Sequence, residues 1–246
     1  MKISFVIPAY NEEKLIERCL RSVSAEIARS GHTAEIIVAD NNSTDRTREI
    51  AMAFPDVRIV HEPQKGANRA RQAGFNASKG EFVVNIDADT IVPKGWLDHA
   101  LGILEGDDRV VALSGPFIFY DLPILKRTLA ALFVSTYPAA NFMVQHVLRI
   151  GALLQGGNYV VRREALQKIG GHDTTIEFYG DDTDLARRLS KVGHVKWTLD
   201  FPMYASGRRL EREGMAPMAW KYAINFFSVN FAGKPVTKEY IDVRPR

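Results

Sequence analysis

The chain has a single cysteine, Cys19, among 246 residues, so no disulfide can form within it. That excludes disulfide-stapled scaffolds and fits a reducing compartment, where a lone thiol is a core or half-buried residue. An excess of one charge is missing as well. The 32 Lys and Arg stand against 29 Asp and Glu, a formal balance of +3 that is too small to make nucleic acid the main partner. There is no internal repeat, low-complexity tract or linker rich in Pro, Gly or Ser to mark a domain boundary. The opening "MKISFVIPAYNEE" has a short apolar run ending in Pro and acids, without the cleavage site of a signal peptide. These features point to the cytoplasm, with the membrane surface as the one alternative.

Long apolar runs are scarce too. The uncharged stretch "TLAALFVSTYPAANFMVQHVL", 128–148, has the length of a spanning helix, for which about 20 apolar residues are required. It is diluted by Ser135, Thr136, Pro138, Asn141, Gln145 and His146, which predicts a buried helix pair broken at Pro138. A second stretch, "MAPMAWKYAINFFSVNF" from Met215 to Phe231, mixes Trp220, Tyr222 and Phe with Lys221 and two Asn, in the manner of an interfacial helix. Packing against the body of the domain is the expectation for both, and contact with a membrane surface the alternative.

What is present is the balance of a globular protein, 46% hydrophobic and 25% charged residues. The length suffices for a core without disulfide or metal, and we expect one domain over 1–246. Apolar runs alternate with helical patterns: "ISFVIP" and a helix from about Glu12 to Ala28; "AEIIVAD" and a helix after Ser43; "VRIVH" and a helix over 67–76; "EFVVNID" and a helix after Pro93. This alternation predicts βαβ units and an α/β fold, a mostly parallel sheet covered on both faces. Polar clusters follow three of these strands: "AYNE", "DNNSTDRT" and "DADT". Ligands of such sheets bind outside the carboxyl ends of the strands, so the three clusters converge on one crevice. Beyond residue 110 come a strand-like "VVALSGPFIFY", the uncharged helical stretch, and segments expected to complete the domain and hold a second substrate.

Four constellations carry chemistry. In "FVVNIDADTIV" an extended chain puts the carboxylates of Asp87 and Asp89 on one side, where two like charges need a counter-ion. A polar loop start that caps the next helix is the alternative. In "DNNSTDRT", Ser43 or Thr44 can cap the following helix and leave Asp40 and the neighbouring amides, Asn42 included, for a nucleobase or ribose edge. Lys65, Arg69 and Arg71 open a helix after Gly66, the wrong sign for its dipole, which an anion such as a diphosphate at Arg71 would reconcile; an exposed basic face is the alternative for the other two. In "GDDTDLARRL", Asp181, Asp182 and Asp184 crowd a helix start beyond what the dipole asks, so one carboxylate there can act as general base.

Taken in order, "FVIPAYNEE", "IIVADNNSTDRT", "KGANRARQAG", "VNIDADT", "QGGNYVVRREAL", "IGGHD" and "GDDTDLARRL" resemble a family 2 glycosyltransferase over roughly 2–200. The resemblance implies the GT-A fold, a Rossmann-like three-layer α/β/α sandwich. It divides the chain into a nucleotide-sugar half to about 110, an acceptor and catalytic half to about 210, and a C-terminal aromatic helix and tail.

It further implies that Pro8, Ala9, Tyr10, Glu12, Asp40, Asn42, Arg71, Asp87, Ala88 and Asp89 form the nucleotide site. Asp89, with Asp87, would hold a Mg2+ or Mn2+ ion on the diphosphate. Gly156, Gly157, Asn158 and Asp181 would shape the donor and acceptor side, and Asp182 would be the base of an inverting transfer. Asp181 replaces the family's usual Glu, a shorter acid at an acceptor position. "SGRRLEREG" resembles a basic loop closing over the donor, which would bring Arg208 and Arg209 to the diphosphate; a solvated charged loop is the alternative. The implied partners are a nucleoside-diphosphate sugar and an acceptor hydroxyl, lipid-linked on the membrane alternative above. A sugar-phosphate nucleotidyltransferase fits less well, because "PAYNEE" stands where its Gly-rich basic loop would be. A non-catalytic nucleotide-sugar-binding or membrane-docking module would not need the retained Asp87, Asp89 and Asp182.

Overall fold

The computed structural model describes residues 2–237 and 241–243. Strand β1 (Ile3–Ala9) pairs in parallel with β2 (Ala34–Asp40) and with β4 (Phe82–Ile86), and β2 with β3 (Val57–His61). Strand β8 (Asn158–Arg162) runs antiparallel between β4 and β6 (Val110–Ser114), and β9 (His194–Trp197) closes the edge parallel to β6. The seven-stranded order is β3-β2-β1-β4-β8-β6-β9. From β1 the chain steps outward to β2 and β3, then crosses back to β4 on the other side. That reversal opens a crevice beyond the carboxyl ends of β1 and β4, which is where Pro8–Tyr10 and Asp87–Asp89 stand.

Alternation along the strands makes two cores. Ile3, Phe5, Ile7, Phe82, Val84 and Ile86 pack under α1 (Ile16–Ser30) and α4 (Trp96–Gly106). Val6, Val83, Tyr159 and Val161 pack under α3 (Ala67–Ala77), α7 (Arg163–Lys168) and α8 (Asp181–Leu189). Gly74 lets α3 lie directly on β1, since a Cβ there would stand 2.4 Å from a methyl of Val6. The start of α4 is capped from α1: Glu26, 3% exposed, accepts the amides of Gly95 (3.0 Å) and Leu97 (2.9 Å) and pairs with Arg29 (2.7 Å).

Several boundaries differ from the sequence reading. Helix α1 begins at Ile16 and not Glu12, because Thr47 and Asp45 hold the amides of Glu12 and Glu13 in a turn. Helix α2 (Thr47–Met52) is started by Asp45, which accepts the Thr47 amide at 2.9 Å, whereas Ser43 and Thr44 bond Asn11 instead. "VVALSGPFIFY" divides at Gly115 and Pro116: β7 (Phe117–Phe119) leaves for a three-stranded sheet of order β5-β10-β7, with β5 (Thr90–Ile91) and β10 (Met203–Ala205). Gly115 is required at that departure, because a Cβ would stand 2.0 Å from the carbonyl oxygen of Phe201. "RRLERE" is a helix, α9 (Arg208–Glu213).

The uncharged stretch forms α5 (Ile124–Val134), α6 (Tyr137–Phe142) and a π-helical turn, Met143–Leu148. The break falls at Ser135 and Thr136, with Pro138 in the first turn of α6, where a missing N–H costs nothing. The expected burial is absent. In these three elements only Ala130 and Val144 are buried, and in α10 (Met215–Ala232) only Asn225 and Val229. No described helix is long and apolar enough to cross a membrane.

The Glu26 cap is testable. Burial alone would push its carboxyl up, but bonds from Arg29, Leu97 and Gly95 outweigh that and hold it below the ordinary 4.5. A lowered carboxyl contributes stability that is present above the ordinary value and lost as pH falls through the folded one. Glu26→Ala is expected to cost about 2–3 kcal/mol at neutral pH by urea unfolding, a deficit that shrinks in acid.

Candidate active site

The crevice is lined by Pro8, Ala9, Tyr10, Glu12, Arg71, Asp87, Ala88, Asp89, Arg208 and Arg209, all expected at the site, together with Asn41, Lys65, Glu177 and Phe178. Asp87 and Asp89 do not lie in extended chain. β4 ends at Ile86, and a turn closes as the Thr90 amide and hydroxyl bond the Asp87 carbonyl at 3.1 and 2.7 Å. Both carboxylates nevertheless face the one cleft, and neither caps α4. The buried Cys19 thiol lies behind this turn, 3.6 Å from the same carbonyl, where burial pushes it up to about 12 and leaves it inert.

Arginines balance the acids. Arg71, buried on α3, reaches Asp87 at 3.1 Å with one terminal nitrogen and Asp181 at 2.6 Å with the other. Arg208 at the start of α9 joins Glu12 to Asp89, the latter at 3.1 Å. Arg209 pairs with Glu213 at 2.7 Å, an i,i+4 bond within α9. Lys65 bonds the Tyr10 hydroxyl at 2.8 Å.

A second group stands behind Arg71. Asp181 and Asp182 open α8 after Gly180, whose φ of 84° supplies the left-handed turn into the helix. Gly156 lies between Arg71 and Asp182, its absent Cβ 3.7 Å from each. Gly157 leaves room for the Asp87 carboxylate, which a Cβ would meet at 2.2 Å. Burial, then the charge of Asp181, pushes the Asp182 carboxyl up to about 7, against the pull of the Thr183 amide and Arg71. Asp181 is raised by burial as well, with Arg71 opposing. Tyr137 of α6 is half-buried, and loss of solvent, then the Asp182 charge, pushes its phenol up to about 12.

Three expected residues stand elsewhere. Asp40 is 2% exposed, accepts the Ser43 amide at 3.2 Å and faces His61 at 3.6 Å, outside the crevice lining. Asn42 is exposed with φ 62°, a turn conformation outside the crevice lining. Asn158 turns its amide into the core, accepting from Trp96 at 3.3 Å and donating to Phe201 at 2.8 Å. Of the amides after Asp40, the one that lines the crevice is Asn41. It ties the loop before α3 to the crevice, donating to Gln64 at 2.7 Å and accepting the Gly66 amide at 2.8 Å. Its place in the polar run after β2 was the available signal.

The sequence profile of the Glycosyl transferase family 2 matches residues 4–170. The chain belongs to this family. It is 30% identical over 197 residues to glycosyltransferase AglE of Haloferax volcanii, an alignment covering 78% of this chain and 62% of AglE. Mannosyltransferase PcManGT from Pyrobaculum calidifontis, solved with GDP-Man and Mn2+, superposes with a TM-score of 0.66 at 23% identity, over 94% of this chain and 63% of that one. Glucosyl-3-phosphoglycerate synthase from Mycobacterium tuberculosis, solved with Mn2+ and UDP-glucose, gives 0.61 at 22%, over 96% and 80%. The fold is therefore the GT-A fold. The chain spans about half the length of the curated relatives it matches.

Replacing Arg71 by Met leaves Asp87, Asp181 and Asp182 facing one another without a counter-charge. Breaking a buried pair costs about 3–5 kcal/mol, and solvent around Asp87 reduces this to roughly 2–4. Urea unfolding of Arg71→Met measures it; a loss within about 0.5 kcal/mol would mean that these ion pairs hold nothing together.

Proposed function

We propose that this chain is an inverting glycosyltransferase, transferring a sugar from a nucleoside diphosphate to an acceptor hydroxyl, with 1–246 acting as one catalytic domain. The observation that carries the reading is the position of Asp182, a carboxyl raised toward neutrality beside a cleft whose acids and arginines suit a diphosphate. Family membership and the nucleotide sugars bound by the structural neighbours support the donor class. The match to a glycosyltransferase profile sets the nucleotidyltransferase alternative aside.

In this reading Pro8, Ala9, Tyr10 and Glu12 border the nucleotide. Arg208 and Arg209 meet the diphosphate, and Asp181 with Gly156 and Gly157 keeps the acceptor side open. Asp182 accepts the proton of the acceptor hydroxyl as its oxygen bonds the anomeric carbon. The bond from that carbon to the diphosphate breaks on the opposite face, so configuration inverts.

The donor set also fits a hard divalent cation. Asp87 and Asp89 offer carboxylate oxygens, and the described residues contain no cluster of three or more His, Cys, Asp or Glu placed to hold an ion, so phosphate oxygens would complete the shell. A Mg2+ or Mn2+ ion held there would neutralise charge gathering on the leaving diphosphate.

Two experiments test this. Calorimetric titration with UDP, GDP and dTDP, with and without Mn2+, is expected to show one nucleotide binding only with metal, and Asp89→Asn to lose that dependence. No binding under any condition ends the donor-site reading. For the base, kcat/KM should climb about tenfold per pH unit below the Asp182 value and level off near pH 7 to 8, because only the ionised carboxylate accepts a proton. The groups setting that midpoint, beside burial, are Asp181, Arg71 and Thr183. Asp181→Asn removes a neighbouring negative charge and is expected to shift it downward, while Asp182→Asn loses roughly 10^2- to 10^4-fold in kcat. A normal rate in Asp182→Asn would sink the assignment.

A further inference from the structure

Two helical segments leave large apolar side chains in solvent on one side of the molecule. Leu132 of α5 is 62% exposed, and Trp220 and Phe231 of α10 are 68% and 70%. Contacts at both ends place the segments together. Ala130 of α5 shares a small apolar cluster with Leu210, against which Met215 and Met218 of α10 pack. Just past the π-helical turn, Gly151 approaches Asn230, whose side-chain oxygen stands 3.1 Å from where its Cβ would be. An apolar surface of this kind marks an interaction site, and a helix apolar on nearly all sides calls for a covering.

Charge selects the covering. Residues 122–150 and 214–237 contain no Asp or Glu, yet carry Lys126, Arg127, Arg149, Lys221 and Lys234. Lys126 and Lys221 pair with Glu211 and Glu213 of the intervening α9, so the excess charge rests on Arg127, Arg149 and Lys234. Apolar side chains with a net excess of cations match an anionic lipid surface, and a second copy of the same face would be repelled. No described helix can cross a bilayer, so the segments would lie along it. The face also adjoins the site: α10 lies against Gly180, which leads into Asp181 and Asp182, with Val229 2.8 Å from where a Cβ of that glycine would be, and Tyr222 meets Tyr179 edge-on at 5.6 Å.

We propose that α5, α6, the π-helical turn and α10 form a docking face for an anionic lipid bilayer, so that Asp182 opens toward the membrane. The consequence for the acceptor, that its hydroxyl arrives on a membrane-embedded carrier, rests on the transferase reading; the docking does not.

The test is co-sedimentation of the full chain with vesicles of phosphatidylglycerol and phosphatidylcholine, compared with phosphatidylcholine alone. Binding to the anionic vesicles is expected, weakening at least tenfold in 0.5 M salt, on the order expected when the Debye length falls to a few Å. The variant carrying Leu132→Glu, Trp220→Glu and Phe231→Glu should bind at least tenfold more weakly, with an unchanged circular dichroism spectrum and unchanged titration by UDP or GDP with Mn2+. Tyr137→Cys carries a fluorophore to the acceptor side, since the one native thiol is buried. Quenching of that label by doxyl lipids in the vesicles is expected.

Wild type that ignores anionic vesicles, or a triple variant that binds them equally, overturns the proposal. So does a concentration-dependent dimer in sedimentation velocity that the same substitutions abolish, which would make a second copy the covering. A label at residue 137 that stays unquenched in bound protein overturns the membrane-facing orientation of Asp182. A protein that binds vesicles but no nucleotide would leave the docking intact and remove the transferase reading alone.

Discussion

Asp87, Asp89, Asp181 and Asp182 gather beyond the carboxyl edge of the sheet, and the structure holds the first three there by sharing two guanidinium groups among them and Glu12. At contact distances a pair of like charges repels by roughly 4 kcal/mol even at an effective dielectric of 20, so the assembly depends on its counter-ions. Arg71 is the more demanding of the two. It issues from α3, meets Asp87 in the turn after β4 and Asp181 at the head of α8, and thereby joins three elements that the chain places far apart. A lysine could not do this, since its single nitrogen lacks the planar fork that lets Arg71 serve two carboxylates with different nitrogens.

The same arrangement separates the two adjacent aspartates. Asp181 takes the guanidinium directly, while Asp182 has the Thr183 amide at 2.7 Å and the full effect of burial and of its neighbour. Titratable neighbours whose surroundings treat them unequally are where acid and base roles are assigned. Their protons belong to the pair, so the rise at Asp182 expresses what Asp181 and Arg71 do as much as its own burial.

How much of this could be read from the sequence differs by element. The strands and the converging polar clusters were legible because β1, β2 and β4 are covered on both faces and so read as apolar runs, and because polar side chains at their ends have few structural uses. Asp40, Asn42 and Asn158 lie outside the crevice lining for a common reason: residue type says that a group can bond, and only the fold decides with what. Asp40 closes its own turn through the Ser43 amide, and Asn158 has Trp96 and the Phe201 carbonyl within reach. The stretch 128–148 was expected to be buried on its apolar content alone. Composition cannot tell a helix that faces a core from one that faces something outside the chain, and Leu132 and Phe133 face outward.

Charge accounting also explains why Arg208 is placed as it is. It sits at the first turn of α9, the wrong end of a helix dipole for a cation, so its position is not set by helix stability. Bridging Glu12 and Asp89, it offsets acids that would otherwise repel across the mouth of the crevice. On the transferase reading, a diphosphate entering that mouth offers Arg208 phosphate oxygens in competition with the carboxylates of Glu12 and Asp89. Before any donor arrives, the crevice thus already pairs Glu12, Asp87, Asp89 and Asp181 with its two arginines, and on the transferase reading a diphosphate competes with Glu12 and Asp89 for Arg208.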